Sequence, residues 1–96
     1  MIGQARFLHV GFNWIGNPKV TELEGVFNSA IDWIRYAPNC WILRTTTDPD
    51  IWLARVKPYM TENDQVFICE LNTSSIEKYS GWLSPWMWPR IQNPKK

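Results

Sequence analysis

The sequence predicts an α+β fold: one antiparallel sheet with two helices on one of its faces. Three observations carry this. Runs rich in β-branched and aromatic residues recur at 7–14, 40–46 and 65–71 and read as strands. Between them, apolar residues spaced three and four apart mark two helices. Pro38 and the Asp48-Pro49 pair stand where one kind of element must give way to another.

The first strand, 7–14, organises the rest. Its side chains alternate between faces, with Leu8, Val10, Phe12 and Trp14 on one and Phe7, His9, Gly11 and Asn13 on the other. The first set is wholly apolar and suits a layer of helices. The second holds the chain's only His. A Gly-Asn-Pro loop follows. Thr21-Glu22-Leu23-Glu24 then reads as a capping box, in which Thr21 accepts from the amide of Glu24 and Glu24 reaches back. Val20, Leu23, Val26, Phe27, Ala30, Ile31 and Ile34 form a stripe that carries this helix towards Asp32, with a short strand over 33–37. Pro38-Asn39 turns the chain into the strand at 40–46, whose faces split into Trp41, Leu43, Thr45 and Cys40, Ile42, Arg44, Thr46. Asp48 and Pro49 open the second helix, with Ile51, Trp52, Val56, Tyr59 and Met60 inward and Pro58 kinking or tightening its last turn. After a turn at 61–64 comes the last strand. A short helical turn is expected within 76–83, and a capped, proline-led start at Ser84-Pro85.

Strand, helix, strand pair, helix, strand is the ferredoxin-like split βαβ order, βαββαβ. Right-handed crossovers place the first and third strands in the centre, the second and fourth at the edges, and both helices on one face. A single domain spans 1–96, with a core at about 5–72, a short C-terminal helical extension at 73–91 and a loose tail at 92–96. Ninety-six residues bury roughly 60–70% of the unfolded surface, enough for one core.

Composition narrows the functional classes. Ten Lys and Arg against nine Asp and Glu give a net charge of +1, so no broad basic field draws a phosphate backbone. Seven Trp are many for this length and imply large apolar surfaces that the domain either buries or offers to partners. Cys40 and Cys69 lack a second Cys or a His at zinc-ligand spacing and read as reduced thiols in apolar runs. There is no Gly-rich phosphate loop, nucleophile elbow or zinc-helix motif. No apolar run has the length of a membrane span, and residues 1–6 lead directly into a strand, so a cytoplasmic location is expected.

The pattern resembles the small SinR-like proteins, relatives of the CRISPR-associated spacer-acquisition protein Cas-two and of the VapD ribonucleases. The matching pieces are Phe12-Asn13-Trp14, Glu24-Gly25, residues 39–43 and 53–58, the run 63–71, and Gly81-Trp82-Leu83. The resemblance implies a ferredoxin-like homodimer whose sheets meet around the ends of the first strands. In nuclease members an Asp at the end of that strand, one from each subunit, is taken to hold a divalent metal. The matching position here is Asn13, which keeps one oxygen but no charge, whereas Mg²⁺ calls for carboxylates.

The expected function is therefore a non-catalytic homodimeric module working in a protein or nucleic-acid assembly, without a cofactor. The alternative is a metal-dependent endoribonuclease, using Mg²⁺ or Mn²⁺ at a site displaced to Glu70 or Asp64. Catalytic candidates are His9, Asn13 and Glu70; binding candidates are Arg44, Asn13 and His9. His9 has the pKa range of a general base, but reads first as a hydrogen-bonded interface side chain. Asn13 reads first as capping its loop. Arg44, His9 and Glu70 are expected to form a polar row across the sheet, either an ion pair or a site. Phe7, His9, Ile42, Val66 and Ile68 make the expected dimer interface, on a face that no third helix is long enough to cover. Trp82, Trp86 and Trp88 read as packing against the core or a neighbour, with base stacking as the other use.

Overall fold

A computed structural model describes residues 3–94. Its elements are β1 (Arg6–Asn13), α1 (Val20–Phe27), β2 (Asp32–Ala37), β3 (Cys40–Thr45), α2 (Pro49–Val56), β4 (Gln65–Leu71) and α3 (Trp88–Gln92), with 3₁₀ turns at Lys57–Tyr59 and Ile76–Lys78. The strands form one antiparallel sheet in the order β2-β3-β1-β4.

The first face of the sheet is dry. Leu8, Val10 and Phe12 of β1 and Trp41 and Leu43 of β3 pack against Leu23 and Phe27 of α1 and Trp52 and Val56 of α2. Phe27 lies beside both Trp41 and Trp52, with ring centroids 5.4 and 6.2 Å away. The two fully buried indoles of this layer each find an acceptor. Trp41 Nε1 donates to Glu24 at 3.2 Å, and Trp52 Nε1 to the buried Thr45 hydroxyl at 3.3 Å. Wide rings with a satisfied polar end let two short helices bury much area per residue.

Several local expectations are corrected. Glu24 spends its carboxylate on Trp41, and α1 starts after Lys19 with no side-chain cap, so the capping box does not form. The helix also stops at Phe27. Ser29 and Ala30 donate back to Val26 and Phe27 in a tight turn, and Ile31 N donates to Arg44 O at 2.8 Å, already in strand pairing. The stripe that continued to Ile34 was two elements in succession. Asp48 sits at the N-cap of α2, but its carboxylate pairs with Arg6. The last helix begins at Trp88, after a turn closed by Met87 N to Ser84 O, with Pro89 in its first turn. Pro58 tightens the end of α2 into a 3₁₀ turn. Of the tail expected over 92–96, Gln92 ends α3, and Lys95 and Lys96 lie outside the described residues, as do Met1 and Ile2 at the other end.

The second face has a core of its own at one end. Met87 and Ile91, from the C-terminal extension, bury Phe7 and Ile34, with Ile42, Leu71, Tyr79 and Leu83 around them. Arg90 ties this extension to the sheet through a two-pronged ion pair with Asp32. The expectation that this face lacks a covering helix is thus corrected. Five helical residues suffice because only one end is covered.

Leu43→Ala, in the centre of the helix-covered layer, should cost about 2–5 kcal/mol, the usual range for a buried leucine. Leu53→Ala, on the exposed side of α2, should cost under about 1 kcal/mol. Urea denaturation of both variants checks the difference.

Candidate functional site

The register of β1 with its neighbours decides which side chains meet on the second face. His9 lies opposite Ile42 on β3 and Cys69 on β4, and Gly11 lies opposite Cys40 and Phe67. Directly opposed residues of antiparallel strands share a face. Phe67, Cys69 and Leu71 therefore stand with His9, while Val66, Ile68 and Glu70 stand with Phe12, Val10 and Leu8. Val66 and Ile68 pack against the helix-covered core. This is one residue out of step with expectation, and a one-residue slip moves a whole strand's side chains to the other face.

Two sequence-based groupings are corrected as a result. The polar row Arg44–His9–Glu70 does not form, because Glu70 is on the opposite face and its carboxylate lies 3.4 Å from Arg6. Arg44 is on the second face but reaches over the ring of Phe7, 4.8 Å from its centroid. The interface expected at Phe7, Ile42, Val66 and Ile68 loses Val66 and Ile68 to the helix layer, while Phe7 is buried beneath Met87 and Ile91.

What gathers around His9 instead comes from the strands on both sides of β1 and from the edge strand β2. A β-bulge interrupts the β2–β3 pairing between Arg35 and Ala37, leaving Tyr36 as the extra residue. Bulges re-aim side chains. Here Tyr36 extends from the edge strand past β3, and its hydroxyl shares a hydrogen bond with His9 Nε2. Their ring centroids are 5.7 Å apart. The imidazole leans over Gly11: a Cβ at that position would sit 3.0 Å from His9 Cε1 and 3.9 Å from Cys40 Sγ. A side chain there would press on the ring, which would have to give by a few tenths of an ångström. Burial lowers the His9 pKa below its ordinary 6.5. The Tyr36 hydroxyl is pushed up to about 12, first by desolvation of the group, then by a hydrogen bond with Cys40 and by the nearby Cys40 and Cys69 thiols. The Tyr36 ring remains 36% exposed, so only its hydroxyl end belongs to this enclosed cluster.

An imidazole that resists protonation, a phenol and two thiols thus sit together. Cys40 and Cys69 are free and half-buried, on strands with β1 between them. Two strand spacings, roughly 9.5 Å, exceed the Cα separation of a disulfide within the chain. Among the described residues, no three His, Cys, Asp or Glu side chains are gathered in a form that could hold a metal ion. Tyr36, Cys40, Cys69 and Phe67 were not singled out as site residues from the sequence. The pairing of β1 with β3 and β4 brings them to His9.

The remaining acids stand apart. Asn13 is exposed and donates through Nδ2 to Gln65 Oε1 at 3.1 Å, a side-chain bridge between the ends of β1 and β4. Asp64 accepts from the amides of Ile15, Gly16 and Thr61 at 2.7, 3.2 and 2.8 Å, pinning the loop after β1 to the turn before β4. Those amides, led by Thr61, lower its pKa to about 2. Glu70 lies six residues further on, roughly 20 Å along an extended strand, so the two acids do not share a site. Trp82 is 98% exposed and Trp86 54%, so within one chain these two do not pack against the core, whereas Trp88 is half-buried.

No family model matches the chain, and neither the curated proteins nor the solved structures contain a significant match. Among the described residues, no helix is long and apolar enough to cross a membrane.

Two pH effects follow. Asp64 has a depressed folded pKa, so its contribution is complete above the unfolded value near 4 and is lost as pH falls towards 2. The melting-temperature gap between wild type and Asp64→Asn should therefore be widest above pH 5 and narrow between pH 4 and 2. His9 resists protonation in the folded state, so the protein should lose stability as pH falls below about 6.5. His9→Gln should flatten that part of the profile. Urea midpoints from pH 7.5 to 5 test it.

Proposed function

We propose that the protein is a ferredoxin-like homodimer of the SinR-like kind, a non-catalytic module that works in a protein or nucleic-acid assembly. The observation that carries this reading is the uncovered half of the second sheet face. His9, Gly11, Asn13, Tyr36, Cys40, Gln65, Phe67 and Cys69 share it, and none of them is an acid, a lysine or an arginine. Phe67 stands 70% exposed beside Gly11. A sheet face without such charges, centred on an open aromatic ring, is poorly suited to water and well suited to contact.

A two-fold axis through this patch makes it complementary to itself, with the Phe67 rings and His9–Tyr36 pairs facing their copies. Burying such a large apolar side chain contributes roughly 1.5–3 kcal/mol on each subunit. The Asn13–Gln65 bridges then lie near the rim. An amide at position 13, already bonded to its neighbour, offers no charge to a divalent cation, which supports assembly over hydrolysis.

Light scattering at low micromolar concentration should give twice the 11.3 kDa chain mass. Phe67→Glu should return the protein to a folded monomer, whereas Ile68→Glu, which places a charge against the helix layer, should unfold it. A wild-type mass of one chain would defeat the dimer. Labelled RNA incubated with the dimer and Mn²⁺ should remain intact; cleavage that tracks with pure protein would defeat the non-catalytic reading.

A further inference from the structure

Next to the open patch, with which it shares Tyr36, the second face carries a cleft. It lies between the sheet and the 72–83 segment, has a volume of about 400 Å³, and is lined by five aromatic side chains: Phe7, Tyr36, Tyr79, Trp82 and Trp88. That volume falls within the roughly 300–1,000 Å³ of small-molecule sites. Lys78 is the one formally charged side chain among the described residues that line it. Trp82, at 98% exposure, leaves an indole bare in the wall. The floor is firm, because Phe7 belongs to the second core.

We propose that this cleft binds a small planar aromatic acid with one negative charge. The ring lies among the aromatic walls, where offset or edge-on contacts with Phe7 and Trp88 add to simple burial. The carboxylate faces the Lys78 ammonium, and no lining acid opposes it among the described residues. Asn72, Thr73 and Ser80 supply polar hydrogens around the same opening. The single cation sets the preferred charge: one carboxylate is matched, an ammonium is repelled, and a dianion is left half-paired. Trp82 acts as the outer wall that a bound ring covers.

Three probes of one shape test this on the full chain: 2-naphthoate, 2-naphthylmethanol and 2-naphthylmethylamine, each titrated into ¹⁵N-labelled protein. The acid should bind most tightly, with amide shifts centred on 71–83 and on the Phe7 and Ile91 amides that line the cleft, and with shifts of the Trp82 and Trp88 indole signals. Lys78→Gln should weaken the acid by roughly fivefold, the size of one exposed ion pair, and leave the alcohol unchanged. Trp82→Ala should weaken all three probes. Both altered side chains are exposed, so the variants keep the fold. Equal binding of acid and amine, undiminished acid binding by Lys78→Gln, or shifts centred elsewhere would each overturn the proposal. The Phe67→Glu monomer should bind the acid as the wild type does, which keeps this result separate from the question of the dimer.

Discussion

The constraint on which the molecule depends is that β1 is hydrogen-bonded on both sides. Its pairings with β3 and β4 run nearly its full length and join the two halves of the sheet. A strand held this way cannot slide by one residue without exchanging its faces. Leu8, Val10 and Phe12 must face the helices, because only that set is apolar throughout. Everything opposite them then inherits its face: Trp41 and Leu43 on β3, and Ile68 and Val66 on β4.

That commitment leaves the second face to be managed differently. A layer of two helices covers the first face, and among the described residues α3 and its approach cover part of the second. They cover the end at Phe7, Ile34 and Ile42, where Arg90 and Asp32 anchor them. The other end keeps His9, Tyr36, Cys69 and Phe67 at least partly open to solvent. The division of this face into a capped half and an open half is what gives the protein a surface for contact and a cleft beside the cap.

The open half owes its chemistry to what the sheet brings to one face. Tyr36 alternates with Ile34 onto the face of His9, at the irregularity in β2, and Gly11 leaves room for the imidazole. Desolvation disfavours the charged forms of imidazole and phenol. An uncharged cluster loses little when water is excluded, whereas buried unpaired charges would oppose contact.

By itself the sequence determined the kinds of element and their order. Leu8, Val10 and Phe12 alternate without ambiguity, Asp48-Pro49 opens α2, and Pro38-Asn39 turns β2 into β3. Local rules are enough there because each signal lies within a few residues of what it controls. The end of α1 was not legible in this way, since Ala30 and Ile31 continue a helical spacing that β-pairing overrides. Nor was the facing of β4. Val66, Phe67, Ile68 and Cys69 are all apolar, so neither alternate set declares itself inward. Only pairing with β1 decided it, and with it the identity of the open patch. The Tyr36–His9 contact and the burial of Phe7 by Met87 and Ile91 likewise join residues far apart in the chain. Such contacts follow from where the sheet places its strands and where the C-terminal segment returns, and no local pattern of side chains encodes them.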